Sequence, residues 1–227
     1  MAAARAGYDV IVHYRASARE AEATGRAIAD LGRAAALRTA ELADPAACQR
    51  LVEEAPGPPA LLINSASVFE DDAAQDFALA GYDHAMAVNL RAPLLLASAM
   101  ARALPADVGG LIVNIADQRV WRLTPRFFSY TLSKAALWTA TQTLAQALAP
   151  RIRVNAIGPG PTLASPHQSA EAFERQARAI PLGRGPKPED IAAALTYLIG
   201  AEAVTGQMIA VDGGQHLAWK TPDVLDD

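Results

Sequence analysis

Short apolar runs alternate along this chain with longer stretches of helical period, and that alternation restricts the fold more than any other feature of the sequence. The runs fall at 9–14, 34–38, 60–64, 111–115, 153–157 and 207–211, and most are rich in leucine or β-branched residues, as buried parallel strands are. Helical stretches are expected at 18–31, 45–54, 82–104, 126–148, 166–179 and 188–199, with Gly32 as a helix stop and Pro188 as a first helical residue. Repeated strand–helix units of this kind predict an α/β fold, a doubly wound parallel sheet with helices on both faces. Residues 1–6 read as the last turns of a helix that ends at Gly7.

With 227 residues, 52% of them hydrophobic and 19% charged, the chain suits one domain spanning 1–227 with a sizeable core. The net charge of -4 offers no basic face for a phosphate backbone, so nucleic acid is not an expected partner. Cys48 is the single cysteine, and His13, His84, His167 and His216 stand far apart, which excludes a disulfide framework and a clustered metal site. Apolar stretches such as 92–100 are shorter than the ~20 residues of a membrane span, and the N-terminus does not read as a signal peptide. A soluble, cytoplasmic protein is expected.

Tyr130 and Lys134 are four residues apart in a predicted helix, so they share a face one turn from each other. An ammonium near a phenol favours the phenolate and lowers the phenol pKa, which makes the tyrosine a usable general acid. The pair alone is a weak signal, but it has company. Asn64-Ser65-Ala66-Ser67 closes a strand, Asn89 lies in a helix, and Pro159-Gly160 and Asp212-Gly213-Gly214 each follow a strand. Together, in this order, these motifs resemble the short-chain dehydrogenase/reductase family over essentially the whole chain.

That resemblance implies a Rossmann-like fold, NADPH or NADH as cofactor, a small-molecule substrate, and a homo-oligomer, either dimer or tetramer. It assigns Tyr130, Lys134 and Asn89 to catalysis, with the Asn89 carbonyl linked through a water to Lys134. Pro93 has no N–H to bond that carbonyl, so the carbonyl is left open or the helix simply kinks there. The cofactor would lie along Tyr14, Arg15, Ser17, Glu41, Leu42, Asn64, Ser65, Ala66, Ile115, Tyr130, Lys134, Pro159 and Gly160. No acid stands in the run His13-Tyr14-Arg15-Ala16-Ser17, where NAD-selective enzymes bind ribose hydroxyls. Arg15 and Ser17 suit a 2′-phosphate instead, which favours NADPH, although an arginine at a strand end can be a solvated charge.

The sequence departs from the family in two places. Thirteen residues before Tyr130, where most members carry a carbonyl-binding serine, stands Asp117. A hydroxyl can only polarise a carbonyl, whereas a carboxyl can also supply a proton, which suits reduction of a C=N bond in a heterocycle. The Asp117, Tyr130, Lys134 set, with Phe69 after Ser67 to stack a flat ring, resembles the pteridine reductase and dihydromonapterin reductase branch. Substrate contacts are then expected from Ser67, Phe69, Asp117 and Tyr130. The competing readings are a core role for Phe69 and a degenerate site for Asp117, and with them a ketone reductase or a non-catalytic relative. The second departure is at the start: the family opens with an apolar strand and a T-G-x-x-x-G-x-G turn, and neither is present. The chain is therefore expected to be N-terminally truncated, through a start codon upstream of Met1 or a shortened gene product, and to show a break in the sheet.

Overall fold

The computed structural model of the chain describes residues 1–164 and 168–219. In order, the elements are α1 (Ala2–Arg5), β1 (Val10–Tyr14), α2 (Ala18–Ala29), β2 (Ala35–Thr39), α3 (Pro45–Glu53), β3 (Leu61–Asn64), α4 (Leu79–Met86), a π turn (Ala87–Arg91) and α5 (Ala92–Ala103). The second half runs through β4 (Gly110–Ile115), a 3-10 turn (Gln118–Val120), α6 (Phe128–Leu148), β5 (Ile152–Pro159), α7 (Ala170–Arg178), α8 (Pro188–Gly200), β6 (Met208–Val211) and a last 3-10 turn (Gln215–Leu217). All strand pairs are parallel, so the expected α/β architecture is present.

Each predicted strand is found, with its ends displaced by no more than two residues. Gly32 takes φ +74° just past α2, as its role as a helix stop requires. Gly7 likewise takes φ +97° after the short N-terminal helix. The helix expected over 166–179 begins at Ala170, capped by the Ser169 side chain; its proposed start at Pro166 lies outside the described residues, as does His167. The long helix expected over 82–104 is instead α4, a π turn and α5 in continuous succession. There the Ala92 N–H donates to the Ala87 carbonyl five residues earlier. The widened turn sits where Pro93 removes the donor for an ordinary bond to Asn89.

The sheet is broken, as expected. β1 pairs with β2 alone, and a separate sheet runs in the order β3-β4-β5-β6. Burial follows the pairing: every residue of β1 is half-buried, as are Leu61–Ile63 of β3, whereas β4 and β5 are mostly buried. An apolar strand with a paired neighbour on one side only keeps one edge open. The two sheets are held together by helices. Leu42, Cys48 and Val52 from the β2–α3 region pack with Val88, Ala92, Leu96 and Ala99, and the Arg91 guanidinium donates to the Ala43 carbonyl at 2.8 Å. The main core fills both faces of the four-stranded sheet, with α5 and α6 on one side and α8 on the other. Among the described residues, no helix is long and apolar enough to cross a membrane and no cluster could hold a metal ion.

A buried polar rail fixes the strand ends. Asn64 donates to the Asn114 side-chain oxygen at 2.8 Å, and Asn114 donates to Thr141 Oγ1 at 2.9 Å. Thr141 in turn donates to the Leu137 carbonyl at 2.8 Å, so β3, β4 and α6 share one chain of hydrogen bonds. Asn114→Ala leaves the buried Asn64 amide without its acceptor and is expected to lower stability by roughly 2 to 4 kcal/mol. Urea unfolding reads this directly, and a change below about 0.5 kcal/mol, the usual range for an inert surface substitution, would show that the rail is not structural.

Candidate active site

The carboxyl ends of β1, β3, β4 and β5 carry the predicted site residues, the edge at which doubly wound sheets bind ligands. The side chains that meet there most closely come from β4 and α6. After β4 the chain turns at Asp117, whose Oδ1 accepts from the Arg119 N–H at 2.8 Å and so caps the 3-10 turn. This leaves Oδ2 to accept from the Tyr130 hydroxyl at 2.7 Å. The proposed carboxyl and phenol are thus directly bonded.

The first turn of α6 presents Tyr130, and the β3–α4 loop pins that turn. Asp72 accepts from the Ser129 N–H at 3.1 Å and from the Ser129 hydroxyl, and its carbonyl accepts from the Phe128 N–H at 3.2 Å. A carboxylate at a helix N-terminus also opposes the positive end of the helix dipole. Asp71 pairs with Arg126 beside it. The helix begins at Phe128 rather than at the expected 126 because Phe127 adopts the left-handed region, φ 58° and ψ 51°. Phe127 is the one non-glycine residue with positive φ among the described residues.

Lys134 is 2% exposed and donates to the Ile115 carbonyl at 2.7 Å. Burial pulls its pKa from 10.5 down to about 8, with the Asp117 charge acting the other way. Its ammonium lies 5.8 Å from the Tyr130 ring centre. The expectation that Lys134 lowers the Tyr130 pKa is corrected here. Burial, the adjacent Asp117 charge and the bond to Asp117 raise that pKa well above its ordinary value, and it is Arg119 that opposes them. Tyr130 therefore keeps its proton at neutral pH.

Asn89 is fully buried and its side chain is committed on both sides. It accepts from the Val68 N–H at 2.7 Å, donates to the Val68 carbonyl at 2.9 Å, and donates to Ser133 Oγ at 3.0 Å. Ser133 donates to the Tyr130 carbonyl at 2.7 Å, so Asn89 ties the strand-end loop to the helical turn between Tyr130 and Lys134. Phe69, one residue beyond Val68, stacks on Phe127 with ring centres 4.4 Å apart and meets Tyr130 edge-on at 4.7 Å. Ser65, Ala66 and Ser67 are exposed at the end of β3.

The remaining expected residues lie farther along the same edge. Tyr14 is half-buried, Arg15 and Ser17 are exposed, and the Arg15 guanidinium stands 3.8 Å from Glu41, in a loose and solvated pair. Leu42 packs into the core rather than outward. A Cβ on Gly160 would come within 2.7 Å of the Asp212 Cα, so only glycine lets the ends of β5 and β6 approach. The Asp212 carboxylate accepts from the N–H groups of Gly214 and His216 and pairs with the His216 ring. Sequence reasoning missed Arg119, Phe127, Ser133 and Asp72. Ser133 could have been found inside the Tyr130–Lys134 motif, but no local signal marks Asp72 or the backbone of Phe127.

This site has the phenol, buried ammonium and clamped asparagine of a hydride-transfer fold, and comparison with known proteins agrees. The family model described as enoyl-(acyl carrier protein) reductase matches residues 1–216. The chain belongs to the short-chain dehydrogenase/reductase family. It is 36% identical to a galactitol 2-dehydrogenase (L-tagatose-forming) of Cereibacter sphaeroides, over 88% of this chain and 84% of that enzyme. It is also 36% identical to an NAD-dependent glycerol dehydrogenase of Listeria innocua, over 68% of this chain and 63% of that one. Among solved structures, the FolM alternative dihydrofolate reductase 1 from Brucella suis, in complex with NADP, superposes with a TM-score of 0.94 at 50% identity. That match covers 99% of this chain and 91% of that one.

The lowered Lys134 pKa has a consequence for stability. The unfolded chain binds this proton up to about pH 10.5, but the folded chain gives it up near 8. Stability should therefore rise with pH between these values, by on the order of 3 kcal/mol from this group alone. Lys134→Met should remove that rise, and chemical unfolding of both proteins at about pH 7.5, just below the window, and at about pH 9.5, inside it, makes the comparison. Equal slopes would contradict the assignment.

Proposed function

We propose that this short-chain dehydrogenase/reductase reduces a pterin-type substrate, a dihydropterin or a dihydrofolate-like compound, with NADPH. The observation that carries the reading is the 2.7 Å bond from Tyr130 to Asp117, a carboxyl at the position where the family resemblance leads to a serine. Protonating a ring nitrogen needs an acid; Tyr130 holds a proton in the free protein, and Asp117, hydrogen-bonded to it, is the group through which a proton reaches the ring. Lys134, charged below about pH 8, offsets the negative charge left on the pair. Asn89 and Ser133 keep the helical turn in place, and the Asn89 carbonyl is assigned to the proton relay. Phe69 offers an aromatic face beside the acid pair. The likeness to a dihydrofolate reductase at 50% identity supports the same reading.

NADPH supplies the hydride when bound. The residues fit it at both ends: Arg15 and Ser17 are exposed at the end of β1, whose own run carries no acid, and the Glu41 carboxylate, 3.8 Å from Arg15, forms only a loose, solvated pair with it. Tyr14 and Glu41, and the strand ends at Asn64, Ser65, Ala66, Ile115, Pro159 and Gly160, line the same carboxyl edge. That the relatives in complex with NADP share the fold supports this cofactor. A cytoplasmic dimer or tetramer is part of the same proposal, and light scattering of the purified protein reads the assembly.

The relatives named for polyols favour a second reading, a ketone reductase with Asp117 tolerated. Asp117→Ser separates the two. Under the pterin reading, dihydropterin turnover, followed as NADPH consumption, falls at least about 100-fold, the contribution expected of a positioned acid. Turnover of simple ketones is unchanged or improves. Undiminished dihydropterin reduction by the variant, or ketone reduction alone by the parent, would overturn the proposal.

A further inference from the structure

Three groups beside the Tyr130–Asp117 pair form an arrangement that the catalytic roles do not use. Phe69 and Phe127 are stacked at 4.4 Å with their planes 16° apart. The Arg119 guanidinium carbon lies 4.5 Å from the Phe127 ring centre and 5.4 Å from that of Phe69. On the far face of Phe127 it would stand nearly twice as far from Phe69, so the guanidinium lies beside the ring pair, toward the ring edges. Its Nη1 is buried and has no hydrogen-bond partner among the described residues.

Each feature has a physical cost that the others do not remove. A buried N–H of a charged group facing hydrocarbon edges forgoes a hydrogen bond that water would have given it. Phe127 holds its ring on Phe69 from a left-handed backbone, a conformation that disfavours a large side chain. A flat heteroaromatic ring in the place of the Phe127 ring would keep the stacking on Phe69. It would also present edge acceptors, a carbonyl oxygen or ring nitrogen, to the unpartnered Nη1. Asp117, whose Oδ1 is bonded to the Arg119 N–H, fixes the start of the arginine side chain relative to the acid pair.

We propose that Arg119 recognises the acceptor edge of the substrate's flat ring, and that this ring stacks on Phe69 in place of the Phe127 side chain. The inference rests on the pterin reading for the identity of the ring, but its geometry concerns binding and not hydride transfer. Arg119 thus determines specificity for acceptor-bearing rings, and Phe127 is a residue that the ring displaces.

Binding of an oxidised pterin, read by quenching of its own fluorescence with NADP present, tests this alongside steady-state dihydropterin kinetics. Arg119→Met is expected to weaken binding of the oxidised pterin roughly 10- to 100-fold, as loss of a charged hydrogen bond to the bound ring requires, and to raise KM with it. Arg119→Lys, which keeps the charge and a donor, recovers part of the loss, and thermal melting confirms that both variants fold. Phe69→Ala weakens binding, whereas Phe127→Ala leaves it equal or tighter. Unchanged pterin affinity in Arg119→Met, or a loss in Phe127→Ala as large as in Phe69→Ala, would overturn the inference. If the parent protein binds pterin but does not reduce dihydropterin, the functional reading fails and the recognition role stands. If it binds no pterin, both fail.

Discussion

The hydrogen-bonded rail from Asn64 through Asn114 to Thr141 fixes how the ends of β3 and β4 meet α6, and the site is built on that junction. Amides buried this deeply are stable only while each finds its partner, so the rail admits one register between strands and helix. With the register set, Ile115 offers its carbonyl to Lys134, and the turn after β4 brings Asp117 to Tyr130. The Asn89 clamp and the Asp72 cap then hold the two ends of the first turn of α6. The acid pair is thus positioned from four sequence-distant segments.

The electrostatics of the pair differ from the simplest picture of a tyrosine activated by a lysine. Lys134 donates its ammonium to a backbone carbonyl in a buried setting, and the burial lowers its own pKa. The Asp117 charge acts on both the cation and the phenol, and it raises the pKa of Tyr130. A carboxyl in the position of a serine therefore changes more than one contact. It keeps the phenol protonated and ties its hydroxyl to a second titratable group.

Much of this was legible in the sequence. The strands and helices could be read because buried parallel strands are apolar throughout and the helices between them are amphipathic, a difference visible in periods of a few residues. Tyr130, Lys134 and Asp117 could be read because their spacing along one strand–turn–helix unit fixes their meeting. The break in the sheet was expected from the family resemblance, and β1 and β3 each pair on one side alone.

The sequence by itself indicated the fold class, through local periodicity, and the family and its candidate acid residues, through resemblance to that family's motifs. Only the tertiary structure decided the roles of Asp72, Arg119 and Phe127 and the direction of the Tyr130 pKa shift. Asp72 acts across a gap of 57 residues, and Phe127 is marked by a backbone conformation that its residue type disfavours. A pKa depends on which charges burial leaves facing one another, and no spacing along the chain encodes that.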